Sequence, residues 1–159
     1  NGATMCPMES TDQQILALLA RDGRMSYTDI GRETGLSTSA AQQRVRRLEQ
    51  RGVIAGYHAE VSPEALGRTM TAFISVRSLD PEADEATPGR LEHLPEIVSC
   101  FSVAGDASYL LMVQVANPAE LDRLLTQIRT SANVTTVTTI VLTTIFKDRP
   151  LLESAPDVS

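Results

Sequence analysis

Two cysteines in 159 residues, Cys6 and Cys100, are too few and too far apart for a disulfide framework or a zinc-binding pair. Cys100 lies in an apolar, strand-like run, where a buried structural thiol is expected, and a reducing cytoplasm is the compartment that follows. No apolar stretch approaches the roughly 20 residues of a membrane span, so no membrane partner is expected. The first eight residues lack the apolar core of a signal peptide, and residues 1–9 read as a disordered lead-in. Lysine is nearly missing: one Lys stands against thirteen Arg. There is no Ser/His/Asp or Cys/His spacing, no cluster of metal ligands and no glycine-rich phosphate loop. Nothing therefore points to an enzyme, a metal or a cofactor. His58 stands alone in a strand-like stretch, and His93 stands alone near the end of a predicted helix.

What is present is a chain of ordinary globular composition, 42% hydrophobic and 21% charged, long enough for one good-sized domain or two small ones. Its net charge of −6 argues at first against nucleic acid, but the distribution matters more. Residues 1–60 carry seven Arg and seven acidic residues, whereas residues 61–159 carry seven basic and thirteen acidic ones. Within residues 38–51, four Arg face a single Glu. Positive charge is concentrated on one predicted helix.

That helix is opened by Ser37, a good cap, and closed by Gly52. Ala41, Val45 and Leu48 recur at i, i+4, i+7 and form its apolar face. Ser39, Gln42, Gln43, Arg46 and Arg47 lie opposite, offering groups that read base edges and hold phosphates. Upstream, Thr11-Asp12-Gln13-Gln14 fits a capping box followed by an Ile15, Leu18, Leu19 stripe, ended at Asp22-Gly23. Ser26 caps a short second helix carrying Ile30, and Gly35 supplies the turn before the basic helix. Three short helices with a Gly turn before the last form a helix-turn-helix over residues 10–54. The predicted DNA contacts are Ser37, Thr38, Ser39, Gln42, Gln43, Arg44, Arg46, Arg47 and Arg51, with the arginines on phosphates and Ser39, Gln42 and Gln43 on bases.

Gly52 to Val61 reads as a strand, and Ser62 to Gly67 as a turn or a single helical turn with Pro63 at its start. A linker is placed at residues 55–67. From residue 68 to 149 the pattern alternates strand and helix. A strand over Met70–Val76 precedes an acidic loop from Asp80 to Pro88 and the end of a helix over Gly89–Leu94. Strands over Ile97–Val103 and Tyr109–Val115 flank a hairpin turn, Ala104–Ser108. A helix begins at Asn117-Pro118 with Leu121, Leu124, Leu125 and Ile128 as its stripe, and a long strand runs from Val134 to Phe146. The order is βαββαβ, a ferredoxin-like arrangement, so the fold class is α+β. Residues 150–159 read as a tail.

Together these features resemble the Lrp/AsnC, or feast/famine, family of transcription regulators. The residues that carry the likeness are Asp12-x-x-Ile15-Leu16-x-Leu18-Leu19, Asp22-Gly23-Arg24, Gly35-Leu36-Ser37, Arg44-Val45-x-Arg47-Leu48-Glu49-x-x-Gly52-Val53-Ile54-x-Gly56-Tyr57 and Gly105-Asp106-x-x-Tyr109. The resemblance implies an amino-terminal helix-turn-helix that binds double-stranded DNA and a ferredoxin-like regulatory (RAM) domain. It also implies pairing through the sheets into dimers, further assembly into octamers, and an amino acid or related metabolite bound between regulatory domains. The hairpin Gly105, Asp106, Ala107, Ser108 and Tyr109 would line that site, with the Thr-rich run Thr135, Thr136, Thr138 and Thr139 offering hydroxyls from a neighbouring subunit. Backbone N–H groups around Gly105 suit a carboxylate, and Asp106 suits an ammonium. Ser108 stands where many relatives carry Asp. Two rival readings remain: a nucleoid-architectural protein without a ligand, and a ferredoxin-like metabolite-binding protein with a vestigial head.

Overall fold

The computed structural model describes residues 8–148, so the expected lead-in and tail lie outside the described residues, Met8 and Glu9 excepted. The described chain divides into two compact units. The head comprises residues up to Glu60 together with residues 146–148, and the second unit is Val61–Ile145. No helix among the described residues is long and apolar enough to cross a membrane.

The head holds three helices, α1 (Ser10–Arg21), α2 (Tyr27–Thr34) and α3 (Thr38–Gln50). Helix α1 starts earlier than its sequence suggests. Gln13 N–H already bonds the Glu9 carbonyl at 3.1 Å, Glu9 is the N-cap without a side-chain bond, and Thr11 lies inside the first turn rather than capping it. Ser26 caps α2 by accepting from Asp29 N–H at 3.1 Å, and its hydroxyl donates to the Asp29 carboxylate at 2.6 Å, which holds that carboxyl below its ordinary value. The turn into α3 needs two glycines. Gly35 has φ 71°, a left-handed conformation that a Cβ would strain. At Gly31, a Cβ would meet the Leu36 carbonyl oxygen at 2.6 Å. Ile15, Ile30, Ala41, Val45 and Leu48 are buried together, with Leu16, Leu19, Met25, Tyr27, Leu36 and Ile54 packed around them. The α1 stripe therefore runs through Leu16 rather than Leu18. After α3, Tyr57 bonds back to the head, its hydroxyl donating to Glu49 Oε1 at 2.9 Å.

The second unit opens with a 3₁₀ turn over Glu64–Leu66, as expected for Ser62–Gly67. Four strands follow, β1 (Met70–Ser78), β2 (Ile97–Ser102), β3 (Tyr109–Val115) and β4 (Val134–Ile140), in the spatial order β2-β3-β1-β4 and all antiparallel. A short helix α4 (Thr87–Leu91) and a long one α5 (Pro118–Ala132) complete the βαββαβ order and cover one face. Asn117 caps α5 by accepting from Glu120 N–H at 3.0 Å, with Pro118 at its start. Alternate strand residues Ala72, Ile74, Val76, Leu111, Val113, Val115 and Val134 meet Leu91, Leu94, Leu121, Leu124 and Ile128 in the core. Among the described residues of this unit, no helix packs on the opposite face, which carries Phe73, Ser75, Leu110, Met112, Val137 and Thr139.

Four local expectations are corrected. Gly52 to Val61 forms no strand, because no described strand pairs with it. The last strand stops at Ile140 instead of Phe146. Its partner β1 begins at Met70, and Val141 N–H to the Thr71 carbonyl, at 2.9 Å, is the last bond available. The acidic loop is a 3₁₀ stretch, Pro81–Ala86, running into α4, which ends at Leu91 rather than Leu94. Cys100 is exposed, because β2 is an edge strand.

Candidate nucleic-acid interface and ligand pocket

Helix α3 is fixed by its apolar side. With Ala41, Val45 and Leu48 fully buried, 100° per residue turns Ser39, Gln43, Arg46 and Gln50 directly outward at i, i+4, i+7, i+11. All four are exposed. Gln50 was not among the expected contacts, although continuing the spacing from Gln43 and Arg46 finds it. Gln42 and Arg47 flank this stripe, Gln42 half-buried and Arg47 exposed. Ser37 accepts from Ala40 N–H at 3.2 Å, so its hydroxyl is engaged in capping. Thr38 Oγ1 lies 3.4 Å from Thr28 Oγ1, bringing the first turns of α2 and α3 side by side. Thr28 was missed as well, because nothing local ties it to a residue ten positions on.

The four arginines are not equivalent. Among the described residues, no carboxylate pairs with Arg46 or Arg51. Arg44 differs: its Nη1 donates to Glu9 Oε2 at 2.7 Å and to Asp12 Oδ1 at 2.8 Å, and both bonds raise its pKa further. Arg47 Nη2 lies 3.7 Å from Asp12 Oδ2, with half of its side chain exposed. Asp12 itself is 2% exposed. Of the arginines expected on phosphates, Arg46 and Arg51 are unencumbered, Arg47 is shared and Arg44 is taken up by α1.

On the open face of the sheet lies a hollow of about 530 Å³. Ser75 and Arg77 of β1, Val103, Gly105, Asp106 and Ala107 of the hairpin, Leu110 of β3, and Thr135 and Val137 of β4 line it. Gly105, Asp106 and Ala107 are thus brought together as expected. Ser108, Tyr109, Thr138 and Thr139 are not among its lining residues. Ser108 closes the hairpin, its N–H donating to the Val76 carbonyl and its carbonyl accepting from Val103 N–H, both at 3.0 Å. Tyr109 packs against the core and its hydroxyl donates to the Asp84 carbonyl at 3.3 Å. Thr138 stands opposite buried Ile74 and so belongs to the helix-covered face, while Thr139, opposite Phe73, lies further along the open face. Of the Thr-rich run, Thr135 does line the hollow, beside Ser75 and the exposed Arg77, which were not expected there. A basic residue, Arg77, and an acidic one, Asp106, line the same hollow as the apolar Val103, Leu110 and Val137. Such a lining has the charged and apolar groups that a small zwitterionic ligand would need.

Both parts of the chain match known protein families. Residues 8–49 match the family model of the AsnC-type helix-turn-helix domain, and residues 71–152 match that of the Lrp/AsnC ligand binding domain. The HTH-type transcriptional regulator LrpA of Mycobacterium tuberculosis is 47% identical over 142 residues, 89% of this chain and 95% of that protein. The solved structure of a feast or famine regulatory protein from M. tuberculosis complexed with L-methionine superimposes with a TM-score of 0.86 at 46% identity, covering 91% of this chain and 99% of the other. A transcriptional regulator from Neisseria meningitidis, also in complex with L-methionine, superimposes with a TM-score of 0.83 at 27% identity, over 91% and 97% of the two chains.

Proposed function

The chain belongs to the Lrp/AsnC family of transcription regulators, and from that premise we propose that it senses an apolar amino acid in the Arg77–Asp106 hollow and reports it through α3 on DNA. The observation that carries this reading is the meeting of Arg77, Asp106 and three apolar walls in one hollow beside the Gly105 loop. The effector carboxylate lies on Arg77 and the Gly105 backbone, its ammonium on Asp106, and its side chain against Val103, Leu110 and Val137. Asp106 thereby takes the amine-binding part left open by Ser108. Two relatives of similar fold hold L-methionine, a ligand of this chemistry.

Oligomerisation follows from the same face. Phe101 is 51% exposed and Val137 70%, and with Phe73, Leu110 and Met112 they give the uncovered side of the sheet an apolar centre. A second copy laid on it buries these residues and presents two α3 helices to major grooves about one helical turn, ~34 Å, or a multiple apart. The same cover turns the open hollow into a cleft at one end of the pairing. Ser39, Gln43 and Gln50 read bases while Arg46, Arg51 and part of Arg47 hold phosphates. The protein works in the cytoplasm, where its DNA is.

The test is light scattering with a panel of amino acids, run beside a gel shift on the protein's own upstream DNA. The reading expects one apolar amino acid to change the assembly mass or the DNA affinity, and Arg77→Ala to lose that response at least tenfold while still binding DNA. DNA binding with no response to any amino acid would establish the architectural alternative.

A further inference from the structure

The head contains a charged group that its packing does not need. Asp12 is 2% exposed, and a carboxylate there carries a desolvation cost that an apolar residue of similar volume would avoid. Its two oxygens are divided between two arginines of α3, Oδ1 with Arg44 at 2.8 Å and Oδ2 with Arg47 at 3.7 Å. Glu9, on the preceding turn, takes Arg44 at 2.7 Å from the other side. Arg46, on the same helix, and Arg51, at its C-cap, meet no described carboxylate.

We propose that Asp12 is a specificity-determining positioning residue, withholding Arg44 and part of Arg47 from phosphates while fixing α3 against α1. The inference rests on the reading that α3 faces DNA. Phosphate attraction is blind to sequence, and each arginine released to it strengthens binding to every duplex alike. A helix with four free guanidinium groups would gain non-specific affinity and lose discrimination. The Asp12–Arg44 bond also braces the rotation that the buried face of α3 sets, and that rotation decides which of Ser39, Gln43 and Gln50 reach base edges. One buried carboxylate thus lowers the background and aims the readout.

The experiment uses the full chain, a duplex that the wild type selects from a random library, and a scrambled duplex of the same composition. Asp12→Asn keeps the shape and drops the charge. The exposed Glu33→Gln, on α2 and away from these arginines, controls for the change in net charge. Expected for Asp12→Asn is three- to tenfold tighter binding to the scrambled duplex. The salt slope should steepen by about 0.9 for each arginine released, and the ratio of selected to scrambled affinity should fall at least threefold beyond the control. In an Arg47→Gln background the steepening should shrink, because Arg47 is part of the route. Equal weakening on both duplexes, or a change no larger than that of Glu33→Gln, would overturn the proposal. Should Asp12→Asn melt the head, Glu9→Gln at the exposed end of the same network is read instead: a smaller fall in the same ratio is expected, and an unchanged ratio overturns the proposal. A wild type that selects no duplex at all would instead sink the underlying reading of α3.

Discussion

Helix α3 and the sheet hollow do comparable work by opposite constructions. The thirteen residues Thr38–Gln50 form one recognition surface whose members are neighbours four positions apart. The hollow gathers residues from Ser75 to Val137, contributed by three strands and a hairpin. On the helix, three buried residues fix the direction of all the others. On the sheet, a residue's face depends on its parity within a strand and on which partner strand it meets, and a one-residue slip sends it to the other side. A local surface tolerates changes elsewhere in the chain, whereas a non-local one is rearranged by any shift in register.

The largest effect that would test this division is Gly31→Ala. The new methyl meets a backbone oxygen at 2.6 Å in the turn that sets α3 on α2. Backbone cannot rotate aside as a side chain would, so overpacking of about 1–3 kcal/mol or more falls on the corner that aims the recognition helix. The expected outcome is loss of the gel shift and a lowered melting temperature for the head, with the amino-acid response of the second unit retained. Loss of both would mean that the two units do not fold independently and that the comparison is false.

How far each site could be read from sequence follows the same line. The α3 caps, its apolar stripe and the Gly turn were legible because each depends on residues within a few positions. The partition among the arginines was not, because Asp12 reaches Arg44 across 32 positions and Thr28 meets Thr38 across a turn. In the second unit, the βαββαβ order was legible from alternation and turn residues. The pocket was only half so: Gly105, Asp106 and Ala107 sit in one hairpin and Thr135 in the Thr-rich run, but Arg77 joins them through its pairing with Thr135 across β1 and β4. The Thr-rich run was expected to offer hydroxyls from a neighbouring subunit, and the register alternates it between faces, Thr135 and Thr139 on the open one, Thr136 and Thr138 on the helix-covered one. The length of the last strand was set by where its partner begins, which its own Thr-rich run does not encode.

A smaller effect separates the two kinds of contact within α3. Arg46→Ala should weaken binding to selected and scrambled duplexes alike and flatten the salt slope by about 0.9. Gln43→Ala should leave that slope unchanged and relax preference at one base position, costing about 1–3 kcal/mol on the selected duplex alone. Equilibrium binding across a salt series, on single-base variants of the selected duplex, reads both. A loss confined to one base for Arg46→Ala would reverse the two roles and put the outward stripe at a different rotation.

The smallest effect concerns the segment that follows the helix. Tyr57 is 47% exposed, yet its hydroxyl bonds Glu49 on α3, and partial burial first and that carboxylate second push its pKa up to about 12. The neutral phenol is the form that donates, so ionisation breaks the bond and sets two negative charges against each other. Because the folded pKa lies above the ordinary value of 10.0, the stabilisation is fully present below pH 10 and is lost as pH rises toward 12. At such an exposed site the bond contributes less than about 1 kcal/mol. Tyr57→Phe should therefore lower the denaturant midpoint of the head slightly and evenly up to pH 10, and the gap from wild type should close between pH 10 and 12. No gap at any pH through that window would mean that the ring alone, packed near Gly23, ties the segment to the head. The first stretch of chain beyond α3 would then be held by apolar contact, as the helix itself is, with no part for the Glu49 carboxylate.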